Sequence, residues 1–102
     1  MAEVIWTEPA LDDLDAIADY IALDKPGAAK HLVQQVFARV EQLALFPMSG
    51  SKPRELGGTP YRQLAIRPLK VFYRVSAGKV YLVHVMRGEQ QFRLTDVSER
   101  ER

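Results

Sequence analysis

Two amphipathic stripes, separated by one tight break, constrain this chain more than any other feature. Leu11, Leu14, Ile17, Ala18 and Ile21 recur at spacings of three and four. Ala29, Leu32, Val33, Val36, Phe37, Val40, Leu43 and Ala44 repeat the pattern over a longer stretch. That period predicts two helices, near 8–23 and 26–46. The break, Asp24-Lys25-Pro26-Gly27, leaves room only for a sharp reversal, so the helices form an antiparallel hairpin. Neither stripe can bury itself on the other alone. Both need a sheet to lie on.

Local signals support this frame. Thr7 stands where an N-cap belongs, with Pro9 in the first turn and Asp12 and Asp13 near the positive end of the helix dipole. Glu8, Asp13, Asp15 and Asp19 fall off the apolar stripe and are expected in water. Asp24 is expected to cap the second helix, with Pro26 in its first turn. Val4-Ile5-Trp6 reads as a first strand. Residues 47–60 hold three prolines and three glycines and read as a loop. Tyr61 to Ile66 then alternates, with Arg62, Leu64 and Ile66 on one side. Leu69, Val71, Tyr73 and Val75 oppose Lys70, Phe72 and Arg74 in the next run. Ala77-Gly78 makes a tight turn into a β-branched run from Lys79 to Met86. Beyond Gly88 the pattern dissolves. The fold class is α+β, β-α-α-β-β-β, with the helical hairpin on a mostly antiparallel four-stranded sheet. A single domain over residues 1–92 and a charged C-terminal tail over 93–102 are expected.

Composition excludes several classes. The chain has 102 residues, 47% apolar and 26% charged, enough for one modest core and too apolar for general disorder. No apolar run approaches the roughly 18–20 residues of a bilayer span. Met1-Ala2-Glu3-Val4 shows no basic segment ahead of an apolar one, so no secretory signal is expected and the cytoplasm is the default. With no cysteine there is neither a disulfide nor a thiolate zinc site, and no metal or cofactor is expected. The net charge of +1 conceals an asymmetry. Residues 1–50 carry three basic groups against eight acidic ones, a balance of −5, and residues 51–102 carry eleven against five, a balance of +6. From Lys52 to Arg87 eight basic groups face Glu55 alone. Such a half suits an acidic partner, either nucleic acid or an acidic protein segment.

Several motifs, in order, resemble one family. Trp6-Thr7-Glu8-Pro9-Ala10-Leu11-Asp12-Asp13-Leu14, followed by Ile17, Tyr20 and Ile21, is similar to the start of RelE/ParE toxins. Leu43-Ala44-Leu45-Phe46-Pro47, the Gly50 to Leu56 loop, Tyr61-Arg62-Gln63-Leu64, Phe72-Tyr73-Arg74-Val75 and Val83-His84-Val85-Met86-Arg87 continue the match. The resemblance covers roughly residues 3–92. It implies the same topology, a type II toxin–antitoxin system of the plasmid-stabilisation kind, growth inhibition, and an acidic antitoxin that folds on binding into a hetero-oligomer.

Two activities share that fold. RelE-like members are ribosome-dependent mRNA endonucleases, and ParE-like members poison DNA gyrase by binding. RNA cleavage needs a proton acceptor, a proton donor and cations for the developing charge. The cations are present, but the stretch after the last strand, Arg87-Gly88-Glu89-Gln90-Gln91, lacks the His or Tyr that nuclease members carry there. Lys70 and Glu55 match a nuclease pattern only in part. The endonuclease alternative would use Arg62, Lys70, His84 and Arg87. His31 is expected to be solvated, and His84 to lie with Val80, Leu82 and Met86 as a structural group. Tyr61, Tyr73 and Tyr81 are expected to pack, with hydroxyls free for a partner. A low net charge also disfavours work inside the ribosome. The ParE-like gyrase inhibitor is therefore the favoured reading, without catalytic residues. Its binding set for target or antitoxin is Arg54, Arg62, Arg67, Lys70, Arg74, Arg87 and Phe92, with Arg87 central.

Overall fold

A computed structural model describes residues 1–101. The chain runs β1 (Glu3–Trp6), α1 (Glu8–Ala22), α2 (Pro26–Glu41), β2 (Tyr61–Ile66), β3 (Leu69–Ser76), β4 (Lys79–Arg87) and a short α3 (Thr95–Ser98). Single 3₁₀ turns occupy Gln42–Ala44 and Arg54–Leu56. The strands form one sheet in the order β1-β4-β3-β2. β2, β3 and β4 are consecutive antiparallel neighbours, as the alternation and short turns predict, while β1 pairs parallel with β4. The long connection that a parallel pair requires contains the helical hairpin followed by β2 and β3.

Each boundary has a local cause. The Thr7 hydroxyl accepts the Ala10 N–H at 3.4 Å and donates to the Leu82 carbonyl at 2.6 Å, so one side chain caps α1 and ties its start to β4. Such a cap contributes about 1 kcal/mol. Ala77 and Gly78 both take positive φ, 51° and 74°, the pair of conformations that a type I′ hairpin turn needs. The second helix departs from expectation at both ends. Its N-cap is Lys25, which makes no side-chain capping bond, because Pro26 already fills the first helical position and sets the start. Its regular turns stop at Glu41, and the apolar stripe continues to Leu43 in the tighter 3₁₀ turn.

The sheet is covered on both faces. Its inner face meets the hairpin in a core built from Leu14, Leu32, Val36, Val40, Leu43, Ile66, Val71, Tyr73, Leu82 and Val85. Tyr73 is wholly buried, and its hydroxyl accepts the Gly50 N–H at 2.8 Å. Gly50 has no room for a side chain, since a Cβ there would lie 2.5 Å from that hydroxyl. A second, smaller core of Leu56, Tyr61, Phe72, Val83, Met86 and Val97 covers the outer face, with Phe92 packed against it. Phe92 stacks on Phe72 at 4.3 Å between ring centroids. The C-terminal segment therefore folds back over the strands. Leu11, read as part of the α1 stripe, lies at its margin and is partly exposed. Among the described residues no helix is long and apolar enough to cross a membrane.

A β-bulge changes the reading of the last strand. Tyr73 is opposite Leu82 and Phe72 is opposite His84, which leaves Val83 as the extra residue. Strict alternation places His84 with Val80 and Leu82. The bulge instead sends it to the outer face with Phe72 and Met86, while Val80 and Leu82 stay in the inner core.

Candidate functional site

The parallel strand β1 ends at Trp6, opposite Leu82, but β4 runs on to Arg87. Beyond Leu82 the β4 edge needs other partners. They are supplied by one ion pair. Asp13 Oδ2 accepts the Val85 N–H at 3.0 Å, and Arg100 Nη1 donates to the Val83 carbonyl at 3.0 Å. The two side chains meet each other through two bonds, 2.7 and 2.8 Å. Asp13 is therefore not a solvated helix-surface group. Its carboxylate turns inward because the open strand edge offers it an N–H and the C-terminal segment offers it a guanidinium. Burial alone would raise its pKa, yet the hydrogen bonds from Arg100 and the Val85 backbone, together with the close His84 ring, prevail and hold it well below the usual carboxylate range. Arg100 is raised in turn, first through its bond to Asp13.

His84 sits beside this pair. Its Nδ1 lies 3.2 Å from Asp13 Oδ2, without the alignment of a hydrogen bond and with no other partner among the described residues. Phe72 and Phe92 flank the ring at 5.7 and 6.3 Å between centroids, and the side chain is 12% exposed.

The outer face holds a second anchored cation. Arg74 Nε lies 2.8 Å from Glu101 Oε1, and its guanidinium stacks 4.3 Å over the Tyr81 ring. Tyr61 donates to the same carboxylate oxygen at 2.8 Å. Burial, then the bond to Glu101, pushes the Tyr61 phenol up to about 12. Burial also raises Tyr73. Two of the three strand tyrosine hydroxyls are thus committed within the chain, where the sequence suggested free ones.

A third group lines the end of β4. Arg87 faces α1, its guanidinium 5.5 Å over the ring of Tyr20, and its Nε is 3.4 Å from Glu89. Its backbone N–H is held by Gln90 Oε1 at 3.0 Å. Ala16, Ile17, Tyr20, Arg87 and Gln90 line a cleft of about 290 Å³. Gly88 permits a close backbone approach, and the approaching group is the chain's own Pro68 carbonyl, 2.7 Å from the Gly88 N–H. Beyond it, Arg67, Pro68, Leu69, Lys70 and Glu89 line a second depression.

The sequence-predicted set is thus dispersed. Cross-strand register places Arg62 (opposite Tyr73) and Arg87 (opposite Leu69) on the helix side, and Lys70, Arg74 and His84 on the outer side. Arg62 donates to the Gly50 carbonyl at 3.0 Å and helps to hold the loop. Arg54 is exposed in its 3₁₀ turn. Phe92 is half-buried against Phe72. His31 is exposed on α2. Asp13, Tyr20, Gln90, Arg100 and Glu101 join these groups from distant positions. Asp13 and Tyr20 carried a signal, but only as motif residues of the family resemblance. Among the described residues no group of three or more His, Asp and Glu side chains could hold a metal ion.

Comparison with known proteins gives a consistent picture. The family described as the ParE toxin of the type II toxin–antitoxin system parDE matches residues 4–92. Toxin RelE2 of Caulobacter vibrioides is 36% identical over 86 residues, spanning 83% of this chain and 93% of the relative. A solved structure of the chromosomal ParDE toxin–antitoxin system from P. aeruginosa superposes with a TM-score of 0.75 at 27% identity, covering 87% of this chain and 98% of that one.

Proposed function

We propose a mode of action for a chain that belongs to the ParE toxin family of type II toxin–antitoxin systems: it acts by binding, with DNA gyrase as its target and a cognate antitoxin as its silencer. Gyrase is the target that the ParE-like resemblance implies. A cytoplasmic setting and action without a cofactor belong to the same reading.

One observation carries it. The residues an endonuclease would need, Arg62, Lys70, His84 and Arg87, lie on two opposite faces of the sheet. Proton transfer requires groups within about 3 Å of the same reacting atoms, and the register sets Arg62 and Arg87 on the helix side apart from Lys70 and His84 on the outer side. The cation at the end of β4 has Tyr20, Gln90 and Glu89 around it, a composition suited to protein recognition. An antitoxin finds a different surface, between the edge strand β1 and α2. There Val4, Trp6, Phe37, Val40 and Glu41 line an apolar furrow of about 260 Å³, with Trp6 and Phe37 in contact at 5.1 Å. An amphipathic segment that orders on binding suits such a furrow.

A second reading, the ribosome-dependent endonuclease, draws on the Asp13–His84 contact, which resembles a carboxylate orienting an imidazole. Purified chain assayed on gyrase supercoiling and on ribosome-bound mRNA separates the two. The expected result is inhibition of supercoiling with intact mRNA. Codon-specific mRNA cleavage that vanishes in His84→Gln would overturn the binding reading, because the change removes the imidazole while roughly preserving size.

A further inference from the structure

We propose that the groove at the end of β4 is the seat of an acidic segment of the target protein, and that Glu89 is an internal placeholder for that segment's carboxylate. The inference rests on the reading that the chain binds a protein target, and it names the contact. Three cations border the Gly88–Glu89 corner: Arg87 on the α1 side, Arg67 and Lys70 on the other. Among the described residues the side chains of Arg67 and Lys70 have no ion-pair or hydrogen-bond partner, and the Arg87 guanidinium pairs only with Glu89. That pair is loose. It spans 3.4 Å, and the side chains are 40% and 65% exposed. An ion pair of this kind contributes little and exchanges readily for a better-placed acid.

Tyr20 gives the seat its apolar wall. It is 65% exposed on α1, although aromatic side chains of soluble proteins usually bury most of their surface. The ring lies under Arg87, so the guanidinium is oriented before a partner arrives. Gln90 fixes the Arg87 backbone from the same rim. A bidentate carboxylate on Arg87, with an apolar side chain against Tyr20 and Ile17, satisfies every exposed group in the cleft. The cleft holds about 290 Å³, room for one or two side chains, and it is separate from the apolar Trp6–Phe37 furrow that suits the antitoxin.

The test reads opposite signs from neighbouring residues. With purified gyrase as the probe, the concentration for half-inhibition of supercoiling is measured for the full chain and its variants. Arg87→Gln should raise that concentration about tenfold, and Tyr20→Ala about fivefold, as expected for anchor residues. Glu89→Gln should lower it about two- to fivefold, because it frees Arg87 from an exposed competitor. Misfolding cannot produce such a gain. His31→Gln, exposed on the distant α2 helix, serves as the unchanged control. Inhibition by the wild-type chain with Glu89→Gln neutral or weaker overturns the placeholder and leaves the gyrase reading standing. A wild-type chain without effect on gyrase overturns both. The inference also falls if the Arg87→Gln loss appears only in antitoxin affinity, or only in cleavage of ribosome-bound mRNA.

Discussion

The cations of the C-terminal half divide into two regions with opposite fates. Arg74 and Arg100 are bound by Glu101 and Asp13 in short contacts of 2.8 and 2.7 Å, and they hold the C-terminal segment onto the sheet. Among the described residues, Arg67, Lys70 and Arg87, around the Gly88 corner, have one loose ionic partner between them. Both regions count equally in net charge. Only the second can offer its charge to another molecule. A basic half of a sequence is thus two quantities, charge spent on internal anchoring and charge left for recognition, and local geometry apportions them.

The largest effect that would break this comparison is expected at Asp13. Asp13→Ala leaves Arg100 and the Val85 N–H without their partner at a half-buried strand edge, which should lower unfolding free energy by about 2–4 kcal/mol in denaturant titrations. A loss below about 0.5 kcal/mol would mean that the anchor is ornamental. The pH dependence has a definite sign. The folded pKa of Asp13 lies below its unfolded value of about 4. Its stabilisation is therefore fully present above that value and is lost as pH falls toward the folded one. Acid titration of stability should show that loss in the wild type, with a shallower slope below about pH 4 in Asp13→Asn.

A smaller effect is expected on the outer face. A double-mutant cycle between Arg74→Ala and Glu101→Gln should give a coupling of about 1 kcal/mol, since both side chains are only partly shielded. Coupling near zero would move Arg74 into the open group. The smallest effects belong to the open cations. Lys70→Ala and Arg67→Ala should each change stability by less than about 0.5 kcal/mol, because neither has an internal partner among the described residues. A destabilisation of 1 kcal/mol or more at either position would expose a hidden structural role and weaken the groove as a recognition surface.

The fold was legible because its signals are local. Thr7, the two stripes, the loop glycines and prolines, and the Ala77-Gly78 turn each act within a few residues, and the structure follows them closely. The site was legible only as a list of residue types. Arg87 stood out at a strand end, but its pairing with Tyr20 joins positions 67 residues apart, beyond the reach of any local pattern. His84 was misplaced for a different reason. The bulge at Val83 adds one residue to β4 and reverses the side on which later residues fall, and a β-branched run gives no sign of where that extra residue lies.

Periodicity, capping and turn chemistry are properties of short segments, so the sequence by itself determined the element order, the hairpin on a sheet, and the antiparallel pairing of β2, β3 and β4. Charge pairing is a property of distance in space. Whether Asp13 faced water or Arg100, whether Arg74 was free or held by Glu101, and which cations remained at the end of β4 were decided only when the chain closed on itself. Opposite charges interact strongly when a few ångströms apart and partly shielded from water, and weakly otherwise.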